Sequence, residues 1–296
     1  MKIVLSGVTG FIGKNLIKSL LDKKYDVFCI VRDTTDTSNI DPRAKIYEYD
    51  NNITSLIEYF LKEKFEGVIH LASSFVVNHK SDNISELITT NIKFSTELLE
   101  ASKQSNVKWF INTGTFWQHY ETNGYNPVNL YASTKEAFES IAKYYTETSS
   151  LVFVTIKLND TFGANDTRDK IFNLWSKIAK SKEELKMSKG EQIIDISYIN
   201  DVVNAYAVMI NNLSQLDYEK YRNQTYVVSN NQKISLKELS KIFEKCIKQK
   251  LNILWGELPY RDREVMQPFS DGKTVPNWTQ KFTLAQAIKK TIQETK

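Results

Sequence analysis

KIVLSGVTGFIGKNLIKSLL, residues 2–21, decides the fold. Residues 2–5 form a short apolar β-run. Phe11, Ile12, Leu16, Ile17, Leu20 and Leu21 then recur at helical spacing. Between the two, Gly7, Gly10 and Gly13 stand three apart. Glycine permits a tight turn and close backbone approach, and the amino end of a helix offers free N–H groups to a pyrophosphate. The spacing is GxxGxxG, not the GxGxxG of the standard dinucleotide fingerprint. Three glycines alone can make a plain turn. Placed after a strand, before a helix and at the amino end, they point to dinucleotide binding.

The same β–α alternation runs on to residue 158. Apolar β-runs occupy 25–31, 45–49, 67–71, 107–111 and 151–158, and helical periodicity marks 54–63, 84–104 and 133–148. Near-continuous apolar strands alternating with helices imply a parallel sheet covered on both faces, an α/β fold of the Rossmann-type doubly wound kind. Beyond residue 160 the pattern loosens. Segments 170–182, 199–213, 235–248 and 284–292 read as helices, and 224–229 as a strand; Ser235 and Glu238 make a capping box. The expected organisation is a cofactor domain over 1–160, with segments near 199–230 returning to it. A smaller mixed substrate domain takes most of 161–296.

Composition excludes several classes. The chain has 296 residues, 41% hydrophobic and 25% charged, and a net charge of +4. Its basic residues are mostly scattered lysines, with no basic stripe interleaved with aromatics, so nucleic-acid binding is not expected. Cys29 and Cys246 lie far apart with no CxxC pair, which suits two free thiols in a reducing cytoplasm. Gly7 cuts the apolar start too early for a signal peptide, and no apolar run is long enough for a membrane span. No carboxylate or histidine cluster has metal-ligand spacing.

Two stretches carry the chemistry. The second strand ends CIVRD, where a carboxylate would bind the ribose hydroxyl of NAD and an arginine the extra phosphate of NADP. Arg32 at the strand's end favours NADPH; NAD is the alternative, with Asp33 on the ribose and Arg32 in a surface pair. NLYASTKEAFE places Tyr131 and Lys135 four apart on a helix, hence on one face. A phenol needs a nearby cation to exchange protons near neutrality, and Lys135 can supply that field and still reach the cofactor ribose.

These features together resemble the extended short-chain dehydrogenase/reductases, the family of nucleotide-sugar epimerases, dehydratases and reductases. GVTGFIG resembles the family's phosphate loop, which implies cofactor contacts from Gly7, Thr9, Gly10, Phe11, Ile12 and Gly13. Asp50 in YEYD falls where an acidic residue holds the adenine. GVIHLAS resembles the strand beside the cofactor, implicating Leu71, Ala72 and Ser73, and Asn91 matches a family asparagine. YASTK is the YxxxK pair, and GEQIIDISYINDVVNAY resembles the later RDFIYVDDV segment.

Set against that pattern, INTGTFWQHY puts Thr113 in the place of the catalytic hydroxyl, with Thr115 as a second candidate. A dehydratase would carry Asp-Glu where Gly114-Thr115 stand, so dehydration is not expected. Trp117 and Gln118 replace the usual Tyr-Gly and either shape a sugar pocket or only pack; the same choice holds for Phe75, Val76 and Val77. Together with 157–175, these stretches resemble the synthases of CDP-linked 3,6-dideoxyhexoses, CDP-abequose and CDP-paratose. The resemblance implies NADPH-dependent reduction of a nucleotide-linked 4-ketosugar, in deoxysugar biosynthesis for O-antigen-type glycans, by a cytoplasmic homodimer. A 4-epimerase with tightly held NAD and a non-catalytic NADP sensor are the alternatives.

For the substrate diphosphate the candidates are Arg168, Lys170, Arg261 and Arg263, each of which has an acidic neighbour to form an ordinary surface pair instead. Asp160 and Ile194 depart from the family's Asn and Arg. Asp195 and Asp201 read as structural, His70 as a packed residue near the cofactor, and His119 as a loop residue or a substrate contact.

Overall fold

Ile3 and Leu5 of the first strand point into one apolar core and Val4 into another, and the whole sheet repeats that alternation. The computed structural model describes residues 1–269 and 271–295. Its first half comprises β1 (Lys2–Ser6), α1 (Phe11–Asp22), β2 (Asp26–Arg32), β3 (Lys45–Tyr49), α2 (Ile53–Glu63) and β4 (Gly67–His70). Then follow α3 (Asn83–Ile88), α4 (Ser95–Gln104), β5 (Trp109–Thr115), α5 (Leu130–Glu147) and β6 (Val152–Leu158). The second half adds β7 (Asp160–Phe162), α6 (Ile171–Ser181), β8 (Leu185–Met187), β9 (Ile193–Ile194), β10 (Ile196–Tyr198) and α7 (Ile199–Leu213). It ends with β11 (Gln224–Val228), β12 (Ile234–Ser235), α8 (Leu236–Ile247), β13 (Ile253–Trp255), β14 (Lys273–Thr274) and α9 (Leu284–Glu294).

The central sheet has eight strands in the order β14-β11-β6-β5-β4-β1-β2-β3, every pair parallel. Strand order reverses between β1 and β4. That is the switch point where doubly wound sheets open a crevice at the carboxyl ends of their strands. Residues such as Phe28, Phe110 and Phe153 face the core beneath α2, α4 and α5. Cys29, Ile111 and Val154 face the other, which also takes in α1, α7, α8 and α9. The carboxyl-terminal helices thus extend one of the sheet's own cores.

Three expectations change at the element level. The helix read over 84–104 is broken: α3 ends at Ile88, Thr89–Phe94 forms a π-helical turn, and α4 begins at Ser95. The strand read over 107–111 runs on to Thr115, so Thr113 and Thr115 are strand residues. The helix read from 133 begins at Leu130, because Asn129 caps it by accepting from the Ala132 N–H at 3.0 Å. The capping box of Ser235 with Glu238 is present as expected. Cys29 and Cys246 are free thiols. No helix among the described residues is long and apolar enough to cross a membrane.

Candidate active site

The glycine loop is built for close approach. Gly7 has φ of 73°, and a Cβ there would sit 2.4 Å from the backbone nitrogen of Ala72, across the β1–β4 switch point. A Cβ at Gly13 would lie 2.3 Å from the Gly7 carbonyl oxygen. Gly10 caps α1 without a side chain, so the N–H groups of the first turn stay free for an anion. Above them lies a cleft of about 550 Å³ lined by Gly7, Thr9, Gly10, Arg32, Leu71, Ala72 and Ser73. These residues fit a dinucleotide: bare amides for its pyrophosphate and, in Arg32, a cation at the outer end.

Arg32 is exposed, and its side chain makes no hydrogen bond or ion pair among the described residues. Asp33 is used locally, accepting from the Thr34 N–H at 2.8 Å. Asp50, expected at the adenine, does not line the cleft; its carboxylate accepts from the Asn52 N–H at 3.0 Å, while Tyr49 and Asn51 line the wall. Phe11 and Ile12 sit half-buried against the core, and the Phe11 ring carries the Arg168 guanidinium 4.5 Å from its centre.

Behind the cleft is a chain of buried polar contacts. His70 lies between the hydroxyls of Ser6 and Ser95, each 2.7 Å from a ring nitrogen, and burial holds its pKa well below the usual value. It is a packed residue, as expected. Asn91, 1% exposed, sits in the π-helical turn and spends its whole side chain on neighbours. Its Oδ1 accepts from Ser73 Oγ at 3.0 Å and the Ser74 N–H at 2.8 Å. Its Nδ2 donates to the Ser74 carbonyl at 3.0 Å and Thr134 Oγ1 at 2.9 Å. Asn91 therefore positions the Ser73 loop against α5 and does not itself face the cleft.

Tyr131 occupies the first turn of α5 with Lys135 one turn below it. Burial pushes the Tyr131 phenol up to about 12, against the pull of hydrogen bonds with Ser73 and Thr115. Lys135 is 2% exposed, and burial brings its ammonium down to about 8, opposed by the Glu139 carboxylate. Thr113 and Thr115 leave the same face of β5 but do different things. Thr113 Oγ1 lies 2.6 Å from the phenol oxygen of buried Tyr206, a residue that sequence reasoning missed because α7 is remote in the chain. Thr115 and Ser73 are the hydroxyls that pull the Tyr131 pKa down.

A side chain at position 114 would force its neighbours to shift. A Cβ there would lie 2.8 Å from Thr155 Cγ2 and 2.9 Å from Lys157 Cγ. Gln118 is fully buried: its carbonyl accepts from the Thr115 N–H at 3.0 Å and its amide donates to Glu136 and Glu139. It packs the turn onto α5. His119 turns away from the cleft, with Nε2 2.7 Å from Lys157 Nζ and its ring stacked 4.3 Å from Phe269.

The four cationic candidates divide two and two. Arg168 is consumed by a bidentate pair with Asp166 and by the Thr161 carbonyl, and Arg263 by Asn126 and the Tyr120 ring. Both hold loops. Lys170 and Arg261 are also paired, with Asp160 at 2.6 Å and bidentately with Glu264, but they lie over rings on the Tyr131 side, Lys170 over Phe75 and Arg261 over Trp117. Asp195 and Asp201 are structural, accepting from Ser229, Asn230, Lys281 and Phe282.

The pattern of the NAD dependent epimerase/dehydratase family matches residues 3–227, a span that holds both the glycine loop and the Tyr–Lys pair. The chain belongs to this family. Among its relatives, the CDP-abequose synthase of Salmonella muenchen is 27% identical over 98% of this chain and 97% of its own. That of Yersinia pseudotuberculosis is 28% identical over 90% and 92%. The UDP-glucose 4-epimerase of Thermotoga maritima shares the fold with a TM-score of 0.85, at 21% identity over 99% of this chain and 98% of that one. In this epimerase/dehydratase-family protein, β5 ends in Gly114 and Thr115, with no carboxylate at either position.

Proposed function

We propose that the protein uses NADPH to reduce the C4 ketone of a nucleoside-diphosphate-linked 4-keto-6-deoxyhexose or its 3,6-dideoxy analogue. The observation that carries this reading is Tyr131 set over buried Lys135 beside the cleft, with no acid–base pair at positions 114–115. The full-length likeness to CDP-abequose synthases supports a CDP-linked sugar. The disengaged Arg32 supports NADPH over NAD, since a guanidinium suits a phosphate monoester.

When bound, the nicotinamide supplies the hydride that adds to C4. Tyr131 gives its proton to the developing alkoxide oxygen, and the Lys135 ammonium stabilises the phenolate left behind. Thr113 Oγ1 shares a hydrogen bond with the Tyr206 phenol, and with Tyr206 as donor the Thr113 proton is free for the carbonyl oxygen. Lys170 and Arg261 face the diphosphate. A homodimer paired through α4 and α5 belongs to the same reading.

The test is incubation with NADPH and CDP-, dTDP-, UDP- and GDP-linked 4-keto-6-deoxyhexoses. One NADPH consumed per sugar reduced is expected with at least one of them. A parallel incubation with the corresponding 4-hydroxy sugars separates the alternatives: inversion at C4 with no net cofactor consumption would make the protein an epimerase, and binding without turnover of either set a sensor.

A further inference from the structure

Phe75 is 45% exposed, a large apolar ring beside the proton donor. Its ring meets Tyr131 edge-on, 4.9 Å between centres at 82°, and lies 5.6 Å from the half-buried ring of Trp117. Neither ring is placed by chance. Asn129, which caps α5, also donates to the carbonyls of Val76 at 3.2 Å and Val77 at 2.9 Å. One side chain therefore sets both the first turn bearing Tyr131 and the loop bearing Phe75. Trp117 is held at its N–H by Thr115 Oγ1 at 3.2 Å and at its carbonyl by the Val128 N–H at 2.8 Å.

The far side of this pair is cationic. Lys170 Nζ lies 5.1 Å from the centre of the Phe75 ring, and the Arg261 guanidinium 5.9 Å from that of Trp117. Both cations are partly neutralised, Lys170 by Asp160 at 2.6 Å and Arg261 by Glu264 at 2.9 Å. The sequence of surfaces is then proton donor, aromatic wall, cations.

A nucleotide sugar presents the matching order of ketone, ring carbons and diphosphate. If Tyr131 protonates the oxygen on C4, the groups that touch Phe75 and Trp117 belong to the flanking carbons, C3 and C5 with C6. Apart from one indole N–H, the two rings offer no hydrogen bond to a hydroxyl there, whereas a methylene or methyl loses nothing by packing on them. We infer that Phe75 and Trp117 are specificity-determining residues, an aromatic wall that selects 4-ketosugars deoxygenated at C3 and C6. This rests on the reductase reading and adds to it the residues that choose the sugar. An apolar surface rejects an added hydroxyl only modestly, so the expected preference is up to about 100-fold in kcat/KM.

The experiment measures NADPH-dependent turnover of CDP-linked 4-ketohexoses that carry or lack hydroxyls at C3 and C6. It compares wild type with Phe75→Ala and Trp117→Ala, with NADPH affinity as the check on folding. Wild type is expected to favour the deoxygenated sugars by about 10- to 100-fold, and each variant to compress that ratio to within about threefold. Should the alanine variants lose all turnover, Phe75→Leu and Trp117→Tyr keep most of the volume, and Trp117→Tyr should shift the ratio toward the hydroxylated sugar. A ratio unchanged in active variants, or no preference in wild type, overturns the wall while leaving the reductase. Absence of turnover by wild type on every ketosugar removes the reductase reading and the wall with it.

Discussion

The Asn91 amide donates to Thr134 Oγ1 across 2.9 Å, and Thr134 donates in turn to the Tyr131 carbonyl at 2.7 Å. The π-helical turn that carries Asn91 is thereby tied to the helix that carries the proton donor. Replacing Asn91 by Leu leaves the Ser74 N–H and C=O without partners. It should lower unfolding stability by about 3 kcal/mol and kcat by about tenfold. Denaturant melts and single-turnover rates check the two effects; an unchanged melt would mean that the loop finds other partners.

Arg32 should set the cofactor preference. Charge-assisted hydrogen bonds contribute about 1.5–3 kcal/mol each, so Arg32→Ala should weaken NADPH binding by about 10- to 100-fold. Binding of NADH should change little. Fluorescence titration of both nucleotides decides it, and equal losses for the two would place the arginine elsewhere.

The pH profile follows from Lys135. Its ammonium is the useful form and titrates at about 8, so kcat/KM for reduction should fall as pH rises through that value. Tyr131, at about 12, does not limit that range. Glu139 holds the Lys135 pKa up, so Glu139→Gln should move the falling limb to lower pH. An unmoved limb would separate Lys135 from proton transfer.

Gly7→Ala tests the switch point. The left-handed backbone and a Cβ 2.4 Å from Ala72 force the loop to shift into the cleft wall. NADPH affinity should drop at least about tenfold, read by titration calorimetry, with a lower melting temperature.

The parallel sheet was legible because its strands are apolar on both faces and its loop glycines mark one turn. The Tyr–Lys pair was legible because its spacing is local to one helix. What escaped was non-local. Tyr206 reaches Thr113 from a helix some ninety residues on, and no local period announces that contact. The π-helical turn is invisible because its extra residue barely disturbs the apolar spacing of 84–104. Arg168 and Arg261 looked alike in sequence. Only the fold shows the first pairing with Asp166 over the Phe11 ring and the second pairing with Glu264 beside the Trp117 ring. Gln118 is buried in the turn while Trp117 stays half-buried against Phe75, a division that adjacency in the chain could not suggest.

The central claim is hydride delivery to C4, and isotope transfer tests it most directly. The protein is incubated with NADPH deuterated at the transferring position and a CDP-linked 4-keto-6-deoxyhexose, and the product is read by NMR. The account predicts one deuterium at C4 for each NADPH consumed, and none with Tyr131→Phe, which should still bind NADPH. Ketosugar recovered unreduced, or NADPH consumed with no deuterium at C4, would contradict it.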